Sequence, residues 1–509
     1  MNLATKFSHV ASVYPNRVAI EDAHESVTYG DLDTLSARIA SYLGDEGIVA
    51  GERVGVYMSN SARYLVVALG IWKAGAVLVP FNLGLPRGPL RHAAEDSGVR
   101  MIFADSAAVT RLSADLVGLD VVDALVDMGR SAQSPAKATY DLAVSAPPIT
   151  AIVPRMDDDN AFLMYTSGST GKPKGVQQTH RNTTSVVEAT IDTWNLDDSE
   201  RAVICTPFFH VGGMQLCALP MLFSGAFLRV LPRWNAAAWR DAAIAIDATF
   251  TALVPTMVVD VANQLEDQPI VLDSMKVCAI GGSVLPVGPV SRFIDATGIT
   301  NAINIYGQTE QSGVSICERS GEQERPWAIG RPMEQIVQWR LTDPGSNDVL
   351  DSATDVVGEL QVRGDAVTPG YWNLPETNES KYVDGWFRTG DLVRVDSDGT
   401  MHYVERIDEM IISGGENIYP QLIENHLASN PDVAEVAVIG TYHERWMQQV
   451  TAIIVPRSES VTTGDILAYC ASHPDLQGLQ KPRRIEFIDS LPRTGNNKID
   501  RPQLKRTFQ

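Results

Sequence analysis

Short apolar segments recur along the first 300 residues, spaced so that one helix fits between each pair. Leu32, Leu35, Ile39 and Leu43 fall on one helical face, Arg53-Val54-Gly55-Val56-Tyr57-Met58 reads as a strand, Ser61 to Trp72 as a helix, and Ala76 to Pro80 as a buried strand. The rhythm continues through Ala202-Val203-Ile204, Phe227-Leu228-Arg229-Val230 and Val277-Cys278-Ala279-Ile280. Strands separated by helices form parallel sheets with helical faces, so the chain is predicted to be α/β. Around 355–404 the pattern turns to strands and turns, as in Gly358-Glu359-Leu360-Gln361-Val362-Arg363-Gly364. A last unit after about 406 has its own α+β alternation, with a helix over Gln421 to Leu427 and strands over Val433 to Ile439 and Val450 to Val455. At 509 residues the chain is too long for one ordinary core.

The bulk numbers exclude several classes. Apolar residues make up 44% and charged residues 20%, which is ordinary globular composition. The longest clean apolar run, about Tyr64 to Trp72, stops at Lys73 and is too short to span a bilayer. Met1 to Lys6 lacks the basic patch and apolar stretch of a secretory signal, so a cytoplasmic protein is expected. Cys205, Cys217, Cys278, Cys317 and Cys470 form no CxxC pair and read as small core filler. A net charge of −21 disfavours nucleic acid as a partner and requires any phosphate site to be locally positive. Residues 481–509 are such a stretch: eight Lys or Arg less three Asp or Glu give +5.

The sharpest motif is Tyr165-Thr166-Ser167-Gly168-Ser169-Thr170-Gly171-Lys172-Pro173-Lys174-Gly175-Val176, which follows the apolar Ala161-Phe162-Leu163-Met164. Glycines let backbone N–H groups approach phosphate oxygens, hydroxyls add donors, and Lys172 and Lys174 add charge. It is not a Walker A loop, because no glycine lies five residues before a Gly-Lys-Ser/Thr triplet. Composition alone also fits a flexible polar turn. The word order resembles the signature loop of the adenylate-forming superfamily: acyl- and aryl-CoA synthetases, peptide-synthetase adenylation domains and luciferases.

Further segments extend the resemblance over essentially the whole chain, closest to the acyl- or aryl-CoA ligases. Asn304-Ile305-Tyr306-Gly307-Gln308-Thr309-Glu310 resembles the second nucleotide motif. The match implies that Asn304, Tyr306 and Gly307 bind ATP, with Tyr306 stacked on adenine. It likewise implies that Thr309 bonds the α-phosphate and that Glu310, with Thr166, holds Mg²⁺. Gly385-Trp386-Phe387-Arg388-Thr389-Gly390-Asp391-Leu392 is similar to the ribose motif, in which Asp391 would accept two hydrogen bonds from a vicinal diol, helped by Arg406. Arg406 to Pro420 resembles the hinge and thiol motif, with Asp408 at the hinge and Ser413, Gly414, Gly415 and Glu416 along the pantetheine path. The family usually has glycine before that arginine, where this chain has Glu405. Leu491 to Lys498 looks like the catalytic-lysine motif, with Asn497 in place of a glycine before Lys498.

The fold so implied has a large N-terminal domain over 1–405, of layered sheets and helices with a small β-barrel-like part, and a small mobile α+β domain over 406–509. The implied reaction uses ATP and Mg²⁺ to join a carboxylic acid to AMP, with Lys498, Thr309 and Glu310 as the catalytic group. It then passes the acyl group to coenzyme A while the small domain turns about Asp408. Phe208-Phe209-His210-Val211-Gly212-Gly213-Met214 matches the segment bordering the acyl pocket. By that match His210, Val211, Gly212, Gly281, Gly282, Ser283 and Gly313 would line it. No aspartate stands where amino-acid-activating relatives have one, and Met214, Leu216 and Met257 suggest an apolar tunnel, so a medium-chain or aromatic monoacid is expected. Trp446 and Lys481 would face coenzyme A, with Met447 where the family tends to have glycine. A separate carrier protein is the alternative acceptor, and a homodimer stays open.

Overall fold

The helix expected from Leu32, Leu35, Ile39 and Leu43 runs from Tyr29 to Asp45 in the computed structural model, and the Thr28 side chain caps it by accepting from the Asp31 N–H. It packs on the helix Ala62–Lys73 so closely that a Cβ on Gly70 would lie 2.5 Å from Ile39. Residues 2–120, 124–129, 136–166, 172–266, 268–282, 287–318, 328–350, 356–413, 416–473, 475–493 and 499–508 are described.

Two sheets build the large part. In one, Arg53–Tyr57 lies between Val77–Pro80 and Met101–Ala104, all parallel, and Asn160–Thr166 joins beside Val77–Pro80. Asn160–Thr166 then turns back antiparallel into Lys174–Thr179, with Thr166 opposite Lys174, so the phosphate-loop sequence connects two sheet-bound strands. The short strand Gly370–Tyr371 adds at the outer edge of Lys174–Thr179. In the other sheet, Arg201–Ile204, Phe250–Leu253, Val277–Gly281 and Ala302–Tyr306 run parallel. From Ile316 onward this sheet continues antiparallel, through Ala328–Pro332, Met401–Arg406, Trp386–Val395 and Val357–Arg363 to Gln338–Thr342. Strands buried on both faces explain why the parallel segments read as unbroken apolar runs.

The last hundred residues form a separate α+β unit. Val433–His443 and Met447–Pro456 pair antiparallel, and Arg484–Phe487 adds parallel to the second. The helices Pro420–Ala428 and Thr463–Ser472 pack on this sheet around Ile423, Leu427, Val438, Ile454 and Ile466. The architecture is therefore the α/β class with a large N-terminal sheet domain and a small C-terminal one. All five cysteines are free and buried, as expected of core filler. Among the described residues no helix is long and apolar enough to cross a membrane.

Candidate active site

The strand Lys174–Thr179 organises the site because three separate parts of the chain attach to it. Tyr371 pairs with Val176, and the Trp372 N–H donates to the Gly175 carbonyl at 2.7 Å. The Tyr371 hydroxyl donates to Glu310 Oε1 at 2.7 Å, and Lys174 Nζ lies 5.5 Å from the centre of the same ring. On the other side, Gln178 Nε2 donates to the Thr309 carbonyl at 2.9 Å, and the Thr368 N–H donates to the Glu310 carbonyl, also at 2.9 Å. Thr166, Lys174, Thr309 and Glu310 thus belong to one connected group, although they come from two sheets. Lys172 is exposed at the start of the same strand segment.

The turn that presents Thr309 and Glu310 depends on glycine. A Cβ on Gly307 would sit 1.8 Å from the Gly313 carbonyl oxygen, Ser312 has φ 55° and Gly313 has φ 128°. This crossing lets Tyr306, at the end of its strand, and Gln308 both reach Asp391. The Tyr306 hydroxyl donates to Asp391 Oδ2 at 2.6 Å and Gln308 Nε2 to the same oxygen at 2.5 Å. Asp391 and Arg406 face each other across paired strands, with Oδ1 3.3 Å from the guanidinium. Asp391 is buried, and Oδ1 has no hydrogen-bond partner among the described residues. A buried acceptor left open beside an arginine fits a sugar hydroxyl.

The electrostatics follow from burial. Desolvation raises the Asp391 pKa, and Arg406, Tyr306 and Gln308 oppose the rise. Burial and then Asp391 push the Tyr306 phenol well above its ordinary value, so Tyr306 stays protonated and donates to Asp391. Burial and then Glu310 do the same to Tyr371. Burial opposes the charge on Arg406, but Asp391 and Asp408 outweigh it and raise its pKa. Lys381 is lowered by burial and by Arg406, while Glu359 and Glu310 oppose this. Glu310 and Thr166 carry carboxylate and hydroxyl oxygens, the donor type that a hard divalent cation such as Mg²⁺ takes.

On the acyl side His210 starts the short helix Val211–Gly213, and its Nδ1 accepts from the Gly212 N–H at 3.2 Å. A π-helical turn follows over Met214–Ala218, and all of its side chains are buried. Gln215 in this turn donates to Gln178 Oε1 at 2.7 Å. The acyl-side segment is therefore linked through Gln215 and Gln178 to Thr309. Gly281 lies opposite Ile305 in the parallel pairing, Gly282 has φ 90°, and a Cβ on Gly313 would meet Gln215 at 3.4 Å. Asn304, below Tyr306, donates to the Ala328 carbonyl at 2.6 Å.

The residues expected on the thiol side sit on the small domain. Ser413 and Glu416 pair across the hairpin of Ile411–Ser413 and Glu416–Ile418, and the Ile412 N–H donates to Gln448 at 2.9 Å. Trp446 precedes Gln448 by two residues, with Arg445 and Arg483 guanidiniums 4.6 and 5.3 Å from its ring centre. Lys481 is two residues from Arg483. Asp408 accepts from Arg406 Nε at 3.1 Å between the domains. Ser167, Gly168, Ser169, Thr170, Gly171, Ser283, Gly414, Gly415 and Lys498 lie outside the described residues.

Sequence reasoning missed Gln178, Gln215, Gln308, Tyr371 and Lys381. Gln308 lies inside a motif that was read for its neighbours, and Tyr371 follows a glycine in an aromatic turn; Gln178, Gln215 and Lys381 carry no local signal.

The model of the AMP-binding enzyme family matches residues 7–372, and that of the AMP-binding enzyme C-terminal domain matches residues 422–498. The chain belongs to the AMP-binding enzyme family. It is 34% identical over 501 residues to a feruloyl-CoA synthase of an Amycolatopsis species, covering 98% of this chain and 97% of that one. It is 30% identical over 508 residues to an indoleacetate–CoA ligase of Aromatoleum aromaticum, covering 99% and 98%. Among solved structures, ATP-bound MatB from Rhodopseudomonas palustris superposes with a TM-score of 0.90 at 26% identity, over 100% of this chain and 99% of that one. Within this family the joined group of Thr166, Lys174, Thr309, Glu310, Asp391 and Arg406 is the candidate nucleotide site.

Proposed function

We infer that this chain is an AMP-forming acid–CoA ligase acting on an aromatic monocarboxylic acid. The observation that carries the reading is the convergence of Glu310, Thr309, Lys174, Asp391 and Arg406, from segments more than 200 residues apart, through Gln178, Tyr371, Tyr306 and Gln308. In the first half-reaction a carboxylate oxygen attacks the α-phosphorus of ATP, and the bond to pyrophosphate breaks. Two anions meet, so the site must offset their repulsion. Lys172, Lys174 and the loop Ser167–Gly171 receive the phosphates, Thr309 bonds the α-phosphate, and Lys498 adds a cation at the transferring group. Mg²⁺ held by Glu310 and Thr166 supplies further charge neutralisation on the triphosphate. Asp391 and Arg406 orient the ribose, and the Tyr306 ring lies against the base.

In the second half-reaction the coenzyme A sulfur attacks the acyl carbonyl, and AMP leaves with the acyl–phosphate electron pair. Domains 1–405 and 406–509 exchange faces about Asp408 between the steps, so that Ser413–Glu416 replaces Lys498 at the adenylate. The cations around Trp446, with Lys481, receive the coenzyme A phosphates. The acid is placed against His210, Val211, Gly212, Gly281, Gly282, Ser283 and Gly313. Apolar Met214 and Leu216, and the aromatic acids named for the two curated relatives, support an aryl monoacid. The enzyme is assigned to the cytoplasm, where ATP and coenzyme A are held.

A panel of hydroxycinnamates, indoleacetate, fatty acids and dicarboxylates, read as pyrophosphate release with and without coenzyme A, tests the reading. Turnover is expected with the aryl monoacids and acyl-CoA product only with coenzyme A. Release without acyl-CoA, together with acylation of an added holo-carrier protein, would reassign the acceptor. Preference for fatty acids would overturn the substrate class.

A further inference from the structure

Outside the nucleotide site, two imidazoles and a carboxylate converge on the small domain. His426 lies in the last turn of the helix Pro420–Ala428, and His473 caps the C-terminus of the helix Thr463–Ser472. Asp475 follows two residues later. The two rings are 4.2 Å apart between centres, and one ligand atom from each of the three residues lies within 4.8 Å of the others. Asp475 Oδ2 is 3.7 Å from His426 Nε2 and 3.8 Å from His473 Nδ1. Both separations exceed hydrogen-bond range, so the carboxylate faces both nitrogens without bonding directly to either. Two ligands at about 2.0–2.1 Å from a tetrahedral ion stand roughly 3.3–3.4 Å apart, and both carboxylate–imidazole separations lie within about half an ångström of that spacing.

The segment is held from behind. Gln477 Nε2 donates to the His473 carbonyl at 2.8 Å and to the Cys470 carbonyl at 2.9 Å, and the Tyr469 hydroxyl donates to the His426 carbonyl at 3.0 Å. The Asp475 N–H donates to His473 Nδ1 at 3.4 Å, so this nitrogen is unprotonated and an ion would take its lone pair in place of that long hydrogen bond. A hollow lined by Leu422, His426, Asp475, Gln477 and Gln480 opens at the cluster and leaves space for water.

We propose that His426, His473 and Asp475 form a zinc site that fastens the end of the helix Pro420–Ala428 to the segment after Thr463–Ser472, with water as the fourth ligand. Imidazole with carboxylate suits Zn²⁺, whereas Mg²⁺ and Ca²⁺ take oxygen donors. The site is independent of the adenylation chemistry.

The test uses the full-length chain without an affinity tag, stripped with a chelator and titrated with ZnCl₂ by calorimetry and thermal unfolding. One equivalent is expected to bind, with a rise in unfolding midpoint that MgCl₂ does not reproduce. His473→Ala and Asp475→Asn should each weaken binding tenfold or more, and the remote, exposed His24→Ala should not. Each variant's metal-free unfolding midpoint must match that of the parent, and Asp475→Asn, on an exposed side chain, keeps the test available if His473→Ala misfolds. No stoichiometric binding at micromolar zinc, or equal affinity in all variants, would overturn the proposal and leave the cluster an ordinary solvated ion pair.

Discussion

The proposed nucleotide cluster of the large domain and the proposed thiol face of the small one are built in opposite ways. Around Asp391 the carboxylate is buried, with Tyr306 and Gln308 donating to one oxygen and the partly exposed Arg406 beside the other. Around Trp446 the cations stand over an aromatic face, with Arg445 and Arg483 both exposed. The difference suits the two jobs proposed for them. Activating a phosphorus needs charges that do not reorganise during the reaction, and burial supplies that. Capturing a long, flexible, charged thiol carrier from solvent needs reach more than rigidity, and exposed cations on a stem supply that.

The contrast is broken most severely by separating the half-reactions. Lys498→Ala should lower ATP-dependent adenylation by about 10²–10³-fold, since one placed charge is worth that much in rate. Thioester formation from supplied acyl-adenylate should survive. Equal loss in both assays with an intact fold would show that the lysine does not belong to the first step alone. Asp391→Asn should behave differently, because ATP and the acyl-adenylate carry the same ribose. The amide turns one acceptor into a donor facing Tyr306, Gln308 and Arg406. The KM for ATP should rise by about 10–100-fold, and the affinity for supplied adenylate should fall by a similar factor. A defect confined to ATP would detach Asp391 from the ribose.

The same contrast explains what the sequence made legible. Parallel strands declared themselves because burial on both faces forces apolar runs, and the phosphate loop because close backbone approach forces glycine. Glu310 and Asp391 stood out only through motif order. Tyr371, Gln178 and Gln215 were silent, because their partners lie 61, 131 and 37 residues away and polar residues on a buried strand break the alternation that reveals a face. Lys381 is equally silent, placed near Arg406 and Glu310 by the packing of a short helix with no buried residue. Residues 107–150 gave no pattern because their strands, Leu125–Asp127 and Ala138–Thr139, are two or three residues long at a sheet edge.

Between the two regions runs a seam that titrates. Glu405, the residue standing where the family has glycine, is buried; its carboxylate accepts from the Gln421 N–H at 2.8 Å and the Arg406 N–H at 2.9 Å. It therefore clasps the last strand of the large domain to the first helix of the small one. Burial raises its pKa to about 7, with Glu424 and Glu409 adding to burial and Arg501 and the Arg406 N–H opposing. An acid with a raised folded pKa binds its proton more tightly when folded. Its contribution to stability is thus greatest below the unfolded value near 4.5, falls as pH rises through about 7, and then levels off. Glu405→Gln removes this titration, so from pH 5 to pH 8 the parent should lose stability relative to the variant by roughly 2–3 kcal/mol. Parallel stability curves from denaturant unfolding would show that the clasp stays charged throughout.

The smallest expected effect lies on the exposed side of the comparison. Met447 closes the three-residue turn between Val433–His443 and Met447–Pro456 with φ 66°, and its side chain is exposed. Met447 thus rejoins the strand just after the turn in a left-handed conformation, for which glycine carries no Cβ penalty. Holding methionine there costs about 1–2 kcal/mol, while glycine loosens the unfolded chain by about 0.4–1 kcal/mol. The strain term is the larger, and the exposed side chain returns little by burial. Met447→Gly should therefore raise the unfolding midpoint by about 1–3 °C, with the adenylation rate unchanged because the turn belongs to the thiol face. A fall in the midpoint would mean that the methionine packs against Trp446 strongly enough to outweigh its backbone strain. It would also show the thiol face to be more preorganised than its exposed cations suggest.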